Sequence, residues 1–266
     1  MNAYLSIFRL RFAVQLQYRA AALAAFFTNY FFGFVRVMVY IAFYASTTAA
    51  QPLTLAQAVT YTWLTQVTFR MQPWTLDTEI IELIRTGNIA YEFCRPLNLY
   101  MVWYFRLLSF RLVPTLLTGI PVYLGALFLP GTFGLSLPAS PAAAAACLIS
   151  NGFALLLGCA ISSLVNISTL WTIAGDGMMR VFPSVLMLLS GVLIPLAYFP
   201  DWLQTALRIM PFSSLIDIPF SFYLGVIPVS KLFLYSLLQI GWLAVFICIG
   251  LLLFSAAKKK VVVQGG

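Results

Sequence analysis

SGVLIPLAYFPDWLQTALRIMPFSSLIDIPFSFYLGVIP, residues 190–228, is an apolar stretch that five prolines divide into short pieces. A membrane-spanning helix needs about 20 uninterrupted, mostly apolar residues, and no piece is that long. A soluble loop, by contrast, would be polar. Broken backbone at membrane depth is tolerated only where protein or a water-filled cavity covers it. The stretch therefore predicts a re-entrant outer block of short helices, residues 195–228, placed before the last membrane span.

The composition of the whole chain is that of a polytopic membrane protein. Hydrophobic residues make up 62% of the 266 residues and charged residues 8%, whereas a soluble domain carries about 25% charged residues. The net charge of +8 comes from basic residues that flank apolar runs, as the positive-inside rule describes, so no nucleic acid is expected as a partner. The length fits a single membrane domain, residues 1–266, with no room for a soluble catalytic domain.

The residue types needed for bond chemistry are scarce. The chain has no histidine, its four cysteines are widely separated, and it lacks the G-x-x-x-x-G-K-[ST] loop that binds nucleotide phosphates. We therefore expect no catalytic site, no metal and no cofactor on this chain. An ion carrier would need acidic residues at the span centres, and none of the seven acids lies there. This favours a hydrophobic or amphipathic cargo.

Hydropathy predicts an all-α protein with six transmembrane helices, preceded by an amphipathic helix at residues 1–19. The six predicted spans cover residues 20–45, 54–74, 99–129, 141–166, 180–197 and 231–256. Lysine and arginine gather at the N-terminus, between spans 2 and 3, between spans 4 and 5, and at the C-terminus. Both termini are therefore predicted to be cytoplasmic.

Span 4 carries small residues at every fourth position, a spacing that lets helix backbones approach closely. These residues are Ala142, Ala146, Ser150, Ala154, Gly158 and Ser162. The pattern predicts tight packing of this span inside the helix bundle.

Three arginines lie within predicted spans 1 and 3. Arg36 lies deep in span 1, where an arginine is costly unless it pairs with a partner or extends to the headgroups. It therefore faces a transport path or a partner subunit, or else it reaches the outer headgroups; the sequence leaves both open. Arg106 and Arg111 lie on the first turns of span 3 and are expected to project into the cytoplasmic headgroups.

Residues 77–98, between spans 2 and 3, are the most charged stretch of the chain, and we call them the elbow. Asp77 is placed to cap a short helix and Gly87 to end it. Four of the seven acids lie here, on the side where the other flanks are basic. A connector in a helix bundle is usually much shorter. We interpret the elbow as a cytoplasmic helix that docks on a partner protein, with a simple solvated connector as the alternative.

Four segments resemble those of the membrane subunit of ABC-2 type transporters, in a bacterial subgroup: SGVLIPLAYFPDWL (190–203), IMPF (209–212), IPFSFYLG (218–225) and GNIAYEFCRPLN (87–98). This resemblance implies an export permease in the bacterial cytoplasmic (inner) membrane, powered by a separate ABC ATPase that binds ATP and Mg. It also implies two copies of that ATPase, surrounding membrane lipids, and a second permease subunit that is identical or a sister permease.

The same resemblance implies roles for particular residues. The elbow becomes the coupling helix, with isoleucines as apolar anchors and charged residues around them: Glu79, Ile80, Ile81, Glu82, Ile84 and Arg85. The outer block becomes a roof over the transport path that gates release of a drug, antibiotic, lipid or glycan. Its expected gate residues are Pro195, Phe199, Pro200, Trp202, Phe212 and Phe220.

Two other functions remain as alternatives. A membrane enzyme acting on lipid would need a reactive group at the membrane surface, and only Asp201 and Asp217 offer one on the predicted outer side. The other alternative is a structural or assembly subunit that transports nothing.

Overall fold

The computed structural model describes residues 3–75, 77–94, 96–170 and 176–258. In these ranges the chain is helical and has no strand. Its α-helices are α1 (Ala3–Leu16), α2 (Arg19–Ser46), α3 (Leu55–Val67), α4 (Thr78–Arg85), α5 (Ile89–Phe93), α6 (Leu99–Leu127), α7 (Pro141–Ser168), α8 (Asp176–Leu189), α9 (Asp201–Ile209), α10 (Asp217–Tyr223) and α11 (Leu232–Lys258).

Four helices among the described residues are long and apolar enough to cross a membrane. They are Ala20–Ser46 in α2, Leu99–Leu127 in α6, Pro141–Ser168 in α7, and Val229–Ala257, which includes α11. At 1.5 Å per residue each is about 40 Å long, which exceeds the ~30 Å hydrocarbon core of a bilayer. These helices agree with predicted spans 1, 3, 4 and 6.

Predicted spans 2 and 5 are shorter helices than the sequence indicated. Helix α3 has 13 residues, which is about 20 Å, and it ends before a 3₁₀ turn at Phe69–Met71. In α8, 14 residues are described, and the helix ends at Leu189, well before the predicted end at residue 197. Gly191, with φ of 86°, follows it in a left-handed conformation that ends the helix. Over the described residues neither helix has the length of a complete crossing.

Helix α3 forms the centre of the bundle. Tyr61, Trp63 and Leu64 on α3 belong to the largest apolar cluster, together with side chains of α2, α6, α7 and α10. Polar α3 residues such as Thr62 and Gln66 are buried as well, and Thr62 Oγ1 donates a hydrogen bond to the Ala58 carbonyl at 2.9 Å. A helix enclosed by protein can carry such polar groups because neighbouring backbone and side chains satisfy them.

The row of small residues in α7 lies inside the bundle, as predicted. From Ala146 to Ser162 every member of the row is buried, whereas Ala142 at the outer end is exposed. Helices α6, α10 and α11 all pack on α7. The small side chains therefore allow several helices to approach α7 at once.

The outer block contains two helices with opposite surroundings. Helix α9 is largely exposed, and Trp202 on it is 74% accessible. Every residue of α10 is buried, and α10 packs against α7. Helix α10 is therefore a short helix that protein covers on all sides. That the block is re-entrant and lies on the outer side stays a prediction.

Candidate coupling site

The elbow begins with the predicted helix cap. The Asp77 carboxylate accepts a hydrogen bond from the Glu79 backbone N–H at 3.1 Å, which satisfies one of the free donors in the first turn of α4. At the other end Gly87 has φ of 75°, and its N–H donates to the Ile84 carbonyl at 3.2 Å. Asp77 and Gly87 therefore set the limits of α4 as the sequence indicated.

The isoleucines of α4 face the protein and not the surroundings. Ile80 is fully buried and Ile81 is 7% exposed, and Ile84 packs against the apolar cluster that contains Ile80 and Trp103. Ile80 and Ile81 are therefore not exposed as anchors in this structure, because the protein itself already covers them, with α6 and α11 packed on Ile80. Ile84 is only partly buried, and its role as an anchor for a partner stays a prediction. The residues left at the surface of α4 include Glu79, Glu82 and Arg85.

Arg106 of α6 holds the start of α4 by ion pairs. Its Nε lies 2.5 Å from Asp77 Oδ2 and its Nη2 lies 2.8 Å from Asp77 Oδ1, so the pair is bidentate. Arg106 Nη2 also lies 2.5 Å from Glu79 Oε2. The Arg106 side chain is only 10% exposed. The expectation that it projects into the headgroups is wrong, because two carboxylates of the elbow bind it inside the protein.

Glu79 extends this network to the N-terminal helix. Arg11 Nη1 on α1 lies 3.0 Å from Glu79 Oε2. Burial acts to raise the pKa of the Glu79 carboxyl, but the guanidinium groups of Arg106 and Arg11 outweigh it and hold that pKa below its usual value. Glu79 is therefore a bridge between α1 and α6 and not a free surface charge.

Arg111, further along α6, is fully buried and holds the segment that precedes α4. Its guanidinium donates to the Gln72 carbonyl, to the Thr75 carbonyl at 3.0 Å and to Ser162 Oγ at 2.5 Å. The expectation of a headgroup position is wrong here too. Backbone carbonyls that are not used by a helix replace the water that a buried arginine would otherwise need.

A groove of about 570 Å³ opens between α1, α4 and α6. Apolar side chains such as Leu10 and Trp103 line it together with three glutamates, Glu79, Glu82 and Glu92. These residues come from three separate parts of the sequence, so the groove could not be predicted from the sequence of the elbow alone. Arg11 and Arg106 line it too, so the groove combines charges of both signs with apolar side chains. That lining makes this face of the elbow a candidate contact surface.

A comparison with known protein families identifies the family of this chain. A family profile described as "ABC-2 family transporter protein" matches residues 31–265, which is nearly the whole chain and includes the elbow and the outer block. The chain belongs to the ABC-2 transporter family. Searches of curated proteins and of solved structures found no match. Membrane proteins of the ABC-2 family are typically non-catalytic permeases, and the family implies an ATPase partner.

The predicted gate residues of this ABC-2 family protein do not share one surface. Trp202 and Pro200 are exposed, Phe199 and Phe212 are partly buried, and Pro195 and Phe220 are buried. Phe220 packs edge-on against Tyr61 of α3, with ring centroids 5.3 Å apart. Any movement of the outer block therefore involves two different parts: an exposed helix, α9, and a buried helix, α10.

Asp217, the first residue of α10, is bound within the outer block. Its Oδ1 accepts a hydrogen bond from the Leu196 N–H at 3.2 Å, and Arg208 Nε of α9 lies 3.8 Å from its Oδ2. Burial raises the pKa of the Asp217 carboxyl to about 6, although Arg208 and the Leu196 N–H act in the opposite direction. Asp217 therefore joins α9, α10 and the turn at Leu196, and it is not an accessible surface acid.

The tip of the outer block is a 3₁₀ turn at Ser213–Leu215 that two buried glutamines hold. Gln72 Nε2 donates to the Leu215 carbonyl at 3.1 Å, and Gln239 Nε2 of α11 donates to the Ser214 carbonyl at 2.9 Å. Sequence reasoning missed Gln72. A polar amide at the end of a predicted span was the available signal, but its partner is 143 positions away along the chain.

Arg36 is paired within the same chain. Its Nη2 donates to the carbonyls of Val192 at 2.6 Å and Leu193 at 3.2 Å, just after α8 ends. These carbonyls have no helical partner, so a cation is a favourable neighbour for them. The contact replaces the expected position at the outer headgroups. A role in a transport path or a subunit contact stays a prediction.

Proposed function

We propose that this protein is the membrane permease subunit of an ATP-driven exporter that moves a hydrophobic or amphipathic cargo out of the cytoplasm or the inner leaflet. Membership of the ABC-2 transporter family is the observation that carries the proposal. The scarcity of charge in the four long helices favours an apolar cargo over an ion. Whether that cargo is a drug, an antibiotic, a lipid or a glycan is left open.

The energy comes from two copies of a separate ABC ATPase, which bind ATP and Mg. The ATPase docks on the exposed face of the elbow, which the rest of the protein does not cover. Glu82 and Arg85 lie on that surface, and Tyr91 of α5, which is 76% exposed, extends it. An exposed aromatic residue beside charged ones is the composition that protein interfaces favour. The buried isoleucines support the surface from behind.

A second permease subunit, identical or a sister permease, completes the transport path. Helix α2 supports this because it exposes a broad row of large apolar side chains, among them Phe27, Phe31 and Val39. In the proposed arrangement the chain crosses the bacterial inner membrane six times with both termini in the cytoplasm. The short helix α3 completes its crossing with the segments that flank it.

The outer block gates release of the cargo on the far side of the membrane. The contrast within the block supports this, because α10 is enclosed by the bundle while α9 is exposed and joins α10 through Arg208 and Asp217. Asp217 is too enclosed to act as the catalytic group of a lipid-modifying enzyme, and no observation favours that alternative.

The test is co-purification with an ATPase, followed by replacement of the exposed charges of the elbow. We expect the double variant E82Q/R85Q to lower the ATP hydrolysis of the permease–ATPase complex, because it removes docking contacts without changing the buried face of α4. The matched control is D201N, which removes an exposed acid of α9 on the predicted opposite side of the membrane. Equal hydrolysis by E82Q/R85Q and the unmodified complex would contradict the docking assignment.

A further inference from the structure

Residues 71–79 connect three parts of the protein that are distant in the sequence. They lead from α3 into the elbow helix α4. Arg106 and Arg111 of α6 hold this segment at two points, through the Asp77 carboxylate and through the carbonyls of Gln72 and Thr75. The docking helix is therefore attached to α6 by side chains as well as by the backbone of the elbow.

The same segment touches the tip of the outer block. Gln72 is 1% exposed, and its Nε2 donates to the carbonyl of Leu215, which is fully buried. The Gln72 carbonyl in turn accepts from Arg111. Gln72 is thus bound to α6 through its backbone carbonyl and to the outer block through its side chain. Because Gln72 and Leu215 are both buried, loss of either contact leaves an unsatisfied polar group inside the protein.

We propose that the connection between α3 and α4, described at residues 71–75 and 77–79, transmits the movement of the docked ATPase directly to the re-entrant outer block, and that Gln72 is the residue that makes the connection. This inference rests on the proposed function. Displacement of α4 moves the segment before it, which Asp77 joins to Arg106 of α6. Gln72 passes that displacement to the Leu215 carbonyl. Helices α7 and α11, which pack on each other on the other side of the tip, serve as the support. Gln72 is a positioning residue, since it touches neither nucleotide nor cargo.

The chain offers a matched control for this role. Gln239 of α11 is fully buried, and its Nε2 donates to the carbonyl of Ser214, the neighbour of Leu215. Gln239 therefore makes the same kind of bond to the same turn, but from a helix outside residues 71–79. Replacing either glutamine by methionine keeps the length of the side chain and removes its Nε2 hydrogen-bond donor. Only Q72M breaks the proposed connection.

The experiment measures the response of α9 to nucleotide in the permease–ATPase complex in lipid nanodiscs. Trp202 is replaced by cysteine as an exposed reporter, after the exposed Cys94 and Cys248 have been changed to serine. The rate of modification by a charged maleimide is compared with and without a non-hydrolysable ATP analogue and Mg. We expect nucleotide to change this rate in the reporter background and in Q239M. In Q72M the change is lost, while assembly with the ATPase and basal hydrolysis persist.

The outcomes separate the inference from the proposed function. A nucleotide-dependent change that survives in Q72M, or is lost equally in Q239M, would overturn the role of Gln72 and leave the exporter proposal intact. Failure of the reporter background to form an ATP-responsive complex would overturn both. If Q72M does not fold, Q72N replaces it, because its amide is one methylene shorter and keeps polarity while it withdraws from the Leu215 carbonyl.

Discussion

Buried charges hold the elbow and the segment before it in place. Arg106, Arg111 and Asp77 are all less than a tenth exposed, in a chain with few charged residues. Burying a charge is favourable only where partners replace its water. Carboxylates replace the water around Arg106, and backbone carbonyls replace it around Arg111. The two arginines are therefore stabilised by different kinds of partner, although they lie within two turns of the same helix.

We predict that R106Q lowers the thermal midpoint of the detergent-solubilised protein. Breaking a buried ion pair leaves Asp77 unpaired, at a cost on the order of 3 kcal/mol. The double variant D77N/R106Q is expected to regain part of that loss, because no charge is then left alone. The control is R70Q, which changes an exposed arginine just before the segment that Arg106 and Arg111 hold. Equal midpoints for R106Q and R70Q would contradict the assignment.

The stability of the outer block is predicted to depend on pH through Asp217. Its folded pKa of about 6 lies above the ~3.9 of an unfolded aspartate. The proton therefore binds the folded state more tightly. The stabilisation is fully present below about pH 4 and is lost as pH rises through 6, by an amount on the order of 3 kcal/mol.

The variant D217N lacks this titration and retains an oxygen that can accept from the Leu196 N–H. Its thermal midpoint, relative to that of the unmodified protein, is expected to rise as the pH is raised from 5 to 8. Differential scanning fluorimetry in detergent measures both proteins across that range. A midpoint difference that does not change with pH would show that the Asp217 carboxyl has an ordinary pKa.

At the scale of helices, the ends of α3, α8 and α4 decide how the bundle is connected. Helix α8 ends at a glycine turn, α3 at a 3₁₀ turn, and α4 at Gly87. Each end leaves backbone carbonyls that Arg36, Arg111 or turn N–H groups satisfy. The ends of the short helices are thus stable inside the protein because polar side chains from neighbouring helices and turn N–H groups complete their hydrogen bonding.

Replacing Gly191 by alanine is predicted to destabilise the protein. Its φ of 86° is unfavourable for other residues, and a Cβ there would lie 2.7 Å from the Tyr61 hydroxyl oxygen. That hydroxyl donates to the Gly191 carbonyl at 3.0 Å, so the turn and α3 are tightly fitted. We expect a loss on the order of 1–3 kcal/mol, seen as a lower thermal midpoint.

The control for that variant is G241A in α11. Gly241 is helical and exposed, and an added Cβ there has no atom within 4 Å. Alanine at such a position is expected to be neutral or to stabilise by up to ~1 kcal/mol. A drop in thermal midpoint shared by G191A and G241A would show that the turn is not specially strained.

At the scale of the whole molecule, the contacts run from one side of the bundle to the other. The elbow, the buried segment before it and the tip of the outer block are joined by Asp77, Arg111 and Gln72. Helix α10 and its neighbours fill the interior beside α3 and α7. A second subunit is therefore the proposed source of the other half of any wide transport path.

We predict that the elbow and α9 lie on opposite sides of the membrane. Single cysteines at Tyr91 in the elbow and Trp202 in α9 report this, because both side chains are more than 70% exposed. In intact bacterial cells with a permeable outer layer, a membrane-impermeant maleimide should label the cysteine at 202 and not the one at 91. Inverted membrane vesicles should give the reverse. Labelling of both positions from the same side would contradict the predicted topology.

The local features of this chain could be predicted from its sequence because they depend on neighbouring residues. The four long apolar helices, the Asp77 cap, the Gly87 turn and the packing row of α7 all follow from periodicity, hydropathy and local backbone chemistry. The family, too, was recognisable from short segments of the elbow and the outer block. Local sequence carries this information because a helix cap or a helix face involves residues only a few positions apart.

Tertiary structure alone decided which polar and apolar side chains meet. The isoleucines of α4 faced inward because α6 and α11 cover them, and Arg36, Arg106 and Arg111 found partners inside the chain instead of headgroups. Helices α3 and α8 could be short because distant residues satisfy their ends. For the polar groups the physical reason is that a buried polar group is stable only beside a particular partner, and that partner is placed by the fold and not by its position in the sequence. The apolar side chains likewise depend on which helices the fold brings over them.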